Sequence, residues 1–306
     1  MRVIIDNDFS GDPDGLFQLV HHLLSPSVDI RGVIGSHLRP GDPFDPSDIT
    51  AENAVREIEN TLALLRMAGT VPIYQGSNTA MPDRKRPVRS AGAMAIVAEA
   101  MRDDTDLPLF LCCGASLTEL ASAWLIEPRI AERLTVIWIG GNEDPALALT
   151  PPNADPVEYN LNIDIVAGQV VFNDSDLALW QVPRNVYRQT LMAHSELRAR
   201  VRPCGELGHL LVERIEGVMQ LAGDHGLPLG ETYIMGDSPL VLLTALQSAF
   251  QADASSSSYL LRPAPSIDEA GASTFSADGR PIRVYTQLDL RLMFEDFFTK
   301  LANATA

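Results

Sequence analysis

The chain has 306 residues, 46% apolar and 21% charged, which is enough for one large α/β core, and its net charge is −17 at pH 7. That charge opposes nucleic acid and anionic membrane as partners, and no run approaches the roughly 18 apolar residues of a membrane span. Cys112, Cys113 and Cys204 are odd in number and lack metal spacing, and the N-terminus enters an apolar run without a signal-peptide pattern, so a cytoplasmic protein with buried thiols is expected.

The first predicted element is a strand over residues 3–5, a short β-branched run. It leads into Asp6-Asn7-Asp8-Phe9-Ser10-Gly11-Asp12-Pro13-Asp14-Gly15, which holds four aspartates within nine positions. Asp12 and Pro13 suit the cap and first position of a helix, and Leu16, Leu19, Val20, Leu23 and Leu24 continue at helical spacing. The carboxylates therefore collect at the carboxyl end of a strand, the edge where open α/β sheets bind ligands. Crowded carboxylates raise one another's pKa unless a cation sits among them, and a hard divalent ion with oxygen ligands is the natural partner. The plainer alternative makes Asp12 only a cap, Asp14 only a partner of the helix dipole, and Asp6 and Asp8 only loop formers.

Further strands are predicted over 28–34, 71–74, 107–113, 134–139 and 177–182, alternating with helices over 50–67, 91–102, 165–173, 192–225 and 240–246. Another helix opens at Gly114-Ala-Ser-Leu117-Thr118-Glu119-Leu120-Ala121. Residues 38–49 and 76–90 read as polar loops, and the cluster Arg84-Lys85-Arg86 reads as solvated. The aperiodic stretch 143–163 gathers Asn153, Glu158, Asn160 and Asn162, groups that suit hydroxyl recognition and also form turns. Gly236-Asp237-Ser238-Pro239 repeats the opening theme of an acid followed by proline and an apolar helix. Strands near 257–262, 272–276 and 282–287, a hairpin turn at Asp278-Gly279 and a helix over 290–302 complete the chain. The expected architecture is a single α/β domain over 1–306. It has an open, mostly parallel central sheet flanked by helices and a small antiparallel appendage near the C-terminus.

Taken together, these segments resemble the inosine–uridine preferring nucleoside hydrolase family. Asp6 to Asp14 stands in place of its Asp-x-Asp-Pro-Gly-x-Asp-Asp motif, and Glu158-Tyr159-Asn160-Leu161-Asn162-Ile163-Asp164 resembles its ribose-binding segment. Leu117-Thr118-Glu119-Leu120-Ala121 resembles its Leu-Thr-Asn-Ile-Ala turn, and Asp237 matches its late aspartate. The resemblance implies calcium-dependent cleavage of a ribose–base bond through an oxocarbenium-like transition state. It also implies a nucleoside or other riboside as substrate, a place in purine or pyrimidine salvage, and a homodimer or homotetramer. Asp8, Asp14, Asp237 and the Thr118 carbonyl would hold Ca²⁺, and Asp8 would serve as general base. Asp12, Asn153, Glu158 and Asn160 would grip the ribose.

Two departures stand out. The family's paired aspartates are split here by Pro13, which favours Asp14 as metal ligand and Asp12 on the ribose 2′-hydroxyl. Many members carry a histidine on the leaving base where this chain has Gly236, so His37 and Tyr159 become leaving-group candidates by position. Two rival readings follow from single motifs. Asp6-Asn7-Asp8 with Gly236-Asp237-Ser238 resembles a haloacid-dehalogenase-type phosphatase using Mg²⁺, although Val241 stands where that family needs an acid. Loss of the leaving-group acid would also suit a non-catalytic, calcium-dependent ribosyl binder.

Overall fold

The computed structural model describes residues 1–250 and 252–305. Among the described residues twelve strands occur in chain order. The first six are β1 (Arg2–Asn7), β2 (Asp29–Gly35), β3 (Ile73–Gln75), β4 (Leu109–Cys113), β5 (Leu134–Ile139) and β6 (Ala178–Val182). The others are β7 (Leu191–Ala193), β8 (Thr232–Ile234), β9 (Ser258–Pro263), β10 (Ser266–Ile267), β11 (Ser273–Thr274) and β12 (Pro281–Gln287). Eight of them form a central sheet of order β3-β2-β1-β4-β5-β6-β12-β9, parallel except for the β9/β12 pair. β7/β8 and β10/β11 are small separate antiparallel pairs.

Every residue of β1 is buried, because helices cover both faces of the sheet. Val3 and Ile5 pack on one face with Leu16, Leu19 and Val20 of the helix Asp14–Leu23 and with Phe297 of the helix Leu290–Ala304. Ile4 points to the other face, toward Ile96, Leu120 and Val170. The chain builds β2 and β3 on one side of β1, then crosses to build β4 and β5 on the other. The strand order therefore reverses between β1 and β4. In such sheets the loops at the carboxyl ends part at that reversal and leave a crevice.

Several expectations are corrected. Residues 192–225 are not one helix: Met192 and Ala193 belong to β7, a short helical segment covers 194–201, and the long helix Gly205–Asp224 begins anew after a turn. Gly205 takes a left-handed φ of 63°, which interrupts the helical path at a position open enough to need no side chain. The helix predicted over 50–67 ends at Leu64, with Arg66 in a left-handed conformation, and only Pro239–Leu242 is helical within 240–246. β11 does not pair with β12 across Asp278-Gly279. β11 joins β10, while β12 is claimed by β6 on one edge and β9 on the other. The basic cluster is exposed, as expected of a solvated loop, with Arg84 paired to Asp174 and Arg86 to Asp83. All three cysteines are buried and free, and among the described residues no helix is long and apolar enough to cross a membrane.

Candidate active site

The loops after β1, β4 and β5 meet the segment around Asp237 at the carboxyl edge of the sheet. Gly11 closes the turn after β1 by donating its N–H to the Asp8 carbonyl at 2.7 Å. A Cβ there would stand 2.8 Å from Leu38. Asp14 opens the following helix, and its Oδ2 accepts the Asp237 N–H at 2.9 Å, joining the first motif directly to the late one. Asp237 Oδ2 in turn accepts Asn7 Nδ2–H at 2.8 Å. Pro13 occupies the cap position, so Asp12 is only a distant partner of the Asp14 N–H at 3.4 Å. Its firm hydrogen bond comes from the Tyr233 hydroxyl at 2.6 Å.

Asp8, Asp12, Asp14 and Asp237 line one cavity of about 150 Å³ together with Glu158, Tyr159, Asn160, Gly114, Ile139, Tyr187, Ile234 and Gly236. A larger surface recess of about 790 Å³ beside residues 245–248 and 252–256 holds no comparable set of ionisable groups. Glu158 caps the helix Tyr159–Ile163 and is buried. It accepts N–H groups of Gly141 (2.7 Å), Leu161 (3.1 Å) and Asn160 (3.2 Å), and the Tyr187 hydroxyl at 2.7 Å. Asn160 spends its amide hydrogens on the carbonyls of Gly114 (2.9 Å) and Ile139 (2.7 Å), tying the ends of β4 and β5 together. Its Oδ1 stays uncommitted.

The electrostatics follow from burial. Desolvation holds the Asp8 carboxyl well above the usual range, and the charges of Asp237, Asp12 and Asp42 push it further. Burial and then Asp237 and Asp12 do the same to Asp14. Asp237 is pushed up to about 8 by burial, against the lowering effect of its bond from Asn7. No lysine or arginine lines the cavity. These acids are therefore neutralised either by protons or by a cation.

Thr118, His37 and Asn153, also singled out from the sequence, fall outside the cavity wall. Thr118 starts the helix Thr118–Ile126 and is fully buried, its hydroxyl donating to Asp164 Oδ2 at 2.7 Å. His37 is buried behind it, between the Leu38 carbonyl (2.9 Å) and Thr118 Oγ1 (3.0 Å), and does not face the cavity. Asn153 is exposed on the preceding loop with a left-handed φ of 63°. Tyr159 does line the cavity, but its hydroxyl donates to Asp42 at 2.9 Å. Tyr187, Tyr233, Asp42 and Asn7 were not singled out from the sequence, although Asn7 lies inside the acidic motif. Tyr187 packs over Gly236, where a Cβ would stand 3.4 Å from its ring and 3.2 Å from Asp14 Oδ2.

An open parallel sheet with a carboxylate-lined pocket at its point of strand reversal defines an α/β enzyme for a small polar substrate. Comparison with known proteins narrows that class. Residues 3–254 match the family model of inosine–uridine preferring nucleoside hydrolases, and the chain belongs to that family, enzymes that hydrolyse the N-glycosidic bond of nucleosides. The fold is shared with a purine-preferring ribonucleoside hydrolase from Gardnerella vaginalis (TM-score 0.75, 16% identity, covering 100% of this chain and 99% of that one). It is also shared with an inosine–uridine preferring nucleoside hydrolase from Bacillus anthracis (0.65, 18%, 99% of each) and with a plant nucleoside hydrolase (0.73, 16%, 98% of each). A search of curated proteins finds no match. Family membership sets aside the phosphatase reading.

Proposed function

We propose that the chain, acting as a single domain, hydrolyses the N-ribosyl bond of a ribonucleoside or related riboside and uses Ca²⁺ to do so. One observation carries the reading. Asp8, Asp14 and Asp237 face a single cavity with Asp12, Glu158 and Asn160, and no cationic side chain is there to neutralise them. Among the described residues no three acidic, imidazole or thiol groups already form a closed cation cage. The donor chemistry nevertheless fits a hard cation, because every polar lining group is an oxygen donor or an amide and the acids lack a counter-charge. Of the four ligands the resemblance implies, Asp8, Asp14 and Asp237 would hold the ion, while Thr118 lies off the cavity wall. When bound, it would acidify a water molecule and gather ribose hydroxyls.

The remaining chemistry belongs to the side chains. Asp8, free of side-chain donors, takes the proton of the attacking water on its carboxylate. Asp12 Oδ2 receives the 2′-hydroxyl, since Oδ1 is occupied by Tyr233. Asn160 Oδ1 accepts another ribose hydroxyl, and the Glu158 carboxylate stabilises positive charge developing on the sugar. The cavity contains no imidazole. Tyr159 and Tyr187 both donate to carboxylates, and burial with that neighbouring negative charge makes their phenols weaker acids than usual. The best substrate is then a riboside whose aglycone leaves with little help from a proton, a cationic pyridine riboside before an ordinary purine or pyrimidine. The same reading places the protein in the cytoplasm, in nucleoside salvage, as a homodimer or homotetramer.

Release of reducing ribose from purine, pyrimidine and nicotinamide ribosides, with Ca²⁺ and with chelator, tests the proposal. Calcium-dependent turnover that is fastest on the nicotinamide riboside is expected. Turnover unaffected by chelator would refute the metal assignment, and binding without turnover of any riboside would favour the ribosyl binder.

A further inference from the structure

Behind the cavity, the buried helix Asp14–Leu23 carries two polar side chains one turn apart, Gln18 and His22, both without exposure. They belong to a line of hydrogen bonds whose direction can be read from its ends. At one end Thr244 Oγ1 donates to the Leu240 carbonyl at 2.6 Å, and a carbonyl can only accept. The Thr244 oxygen must then accept from His22, so Nε2 of His22, 2.9 Å away, carries the ring proton. Its Nδ1 is left as an acceptor, and Gln18 must point its amide nitrogen at it. Gln18 Oε1 consequently faces Asn7 Nδ2, at 3.4 Å. At the other end the Asp8 N–H, which can only donate, meets Asn7 Oδ1 at 2.9 Å. Read from either end, the amide of Asn7 has the same orientation, with Nδ2 also donating to Asp237 Oδ2 at 2.8 Å.

The niche around that amide is built for it. A Cβ at Gly114 would stand 2.4 Å from Asn7 Nδ2, and one at Gly15 would stand 2.9 Å from it. Were the amide turned over, Asn7 Oδ1 would meet Asp237 Oδ2 and Nδ2 would meet the Asp8 N–H, pairing like with like at both contacts. Bonds that all run one way also polarise one another.

We propose that Gln18 and His22 are positioning residues: through Asn7 they fix which Asp237 oxygen is held by the protein and which is left for the metal and substrate. This rests on Asp237 acting as a metal ligand. Neither residue touches the cavity.

The first experiment reads nitrogen resonances of the His22 ring in isotope-labelled, metal-free protein at neutral pH. The expected spectrum has Nε2 protonated and Nδ1 not. An Nδ1-protonated ring would turn Gln18 over, set its amine against Asn7 Nδ2 and overturn the proposal. The second measures Ca²⁺ affinity by calorimetry in variants whose folding is checked by thermal melts. His22→Leu and Gln18→Met, which break the line, should weaken calcium binding by about tenfold. His22→Asn, which keeps an acceptor opposite Gln18, should stay within about threefold of wild type. Wild-type affinity in the folded His22→Leu and Gln18→Met variants would refute the positioning role while leaving the metal reading intact. A wild-type protein that binds no Ca²⁺ would refute the metal reading, and the positioning role with it.

Discussion

Glu158 illustrates how a residue can serve the fold and the site together. Three N–H groups and the Tyr187 hydroxyl converge on its two oxygens. Its orientation toward the cavity is therefore over-determined, the condition for a preorganised charge. Tyr187→Phe removes one of those donors while keeping the ring that packs over Gly236. The expected result is a KM raised about three- to tenfold with kcat changed less, because the loss falls mainly on substrate positioning. Asp8→Asn removes the base itself and should lower kcat by about 10²- to 10⁴-fold with the fold intact, as melts and steady-state kinetics would show. Asp8, Asp12 and Asp14 were legible in the sequence because crowding carboxylates into one short loop is costly without a purpose. Tyr187 was not, since it sits on a single helical turn, Arg184–Tyr187, and meets Glu158 only because β5 and β6 are neighbours. Asn153 and His37 were misleading for the same reason: proximity in sequence to a motif does not decide which way a loop turns its side chains.

At the level of elements, the aperiodic stretch before Glu158 is held by arginines from two other parts of the chain. Arg184 makes a bidentate pair with the buried Glu143 (2.8 and 2.9 Å) and donates to the Asp155 carbonyl at 2.7 Å. Arg262 of β9 pairs with Asp144 at 2.7 Å. A loop with no periodicity of its own thus acquires a fixed path, and Glu158 arrives at the cavity from a defined direction. Arg184→Met would leave Glu143 buried without its partner, at a cost of about 3 kcal/mol, measurable as a lower urea midpoint with an unchanged slope. Turnover should fall along with stability, because the loop that carries Glu158 loosens. Strands and helices with strong periodicity were placed within a few residues. Boundaries failed where backbone conformation rather than hydrophobic pattern decided them, as at Gly205 and Arg66.

For the whole molecule, alternation of strand and helix announced a parallel sheet, but not that β12, near the end of the chain, would add to β6. Pairing between distant segments depends on which edges remain uncovered, and a local pattern does not record that. The same long-range assembly packs Asp237 against the first acidic loop, and its electrostatic consequence is a prediction about the metal-free protein. Asp237 has its carboxyl raised to about 8 from an ordinary 3.8, and Asp8 and Asp14 are raised too. Groups raised on folding bind protons more tightly in the native state, so their contribution is present at low pH and is lost as pH rises through the folded value. His22 behaves in the opposite sense. Burial lowers it from 6.5 to about 3, so its contribution is present above pH 6.5 and lost as pH falls toward 3. From pH 6.5 toward pH 8 the His22 contribution is in place while the raised carboxylates ionise, so the melting temperature in chelator should fall across that interval. A bound divalent cation keeps those carboxylates ionised, so calcium affinity should rise over the same interval and its stabilisation should grow. Thermal melts with chelator and with Ca²⁺ should therefore diverge as pH increases. Asp237→Asn, which no longer titrates, should flatten much of the fall in chelator. Parallel pH profiles in the two conditions would mean that these acids do not form the cation site.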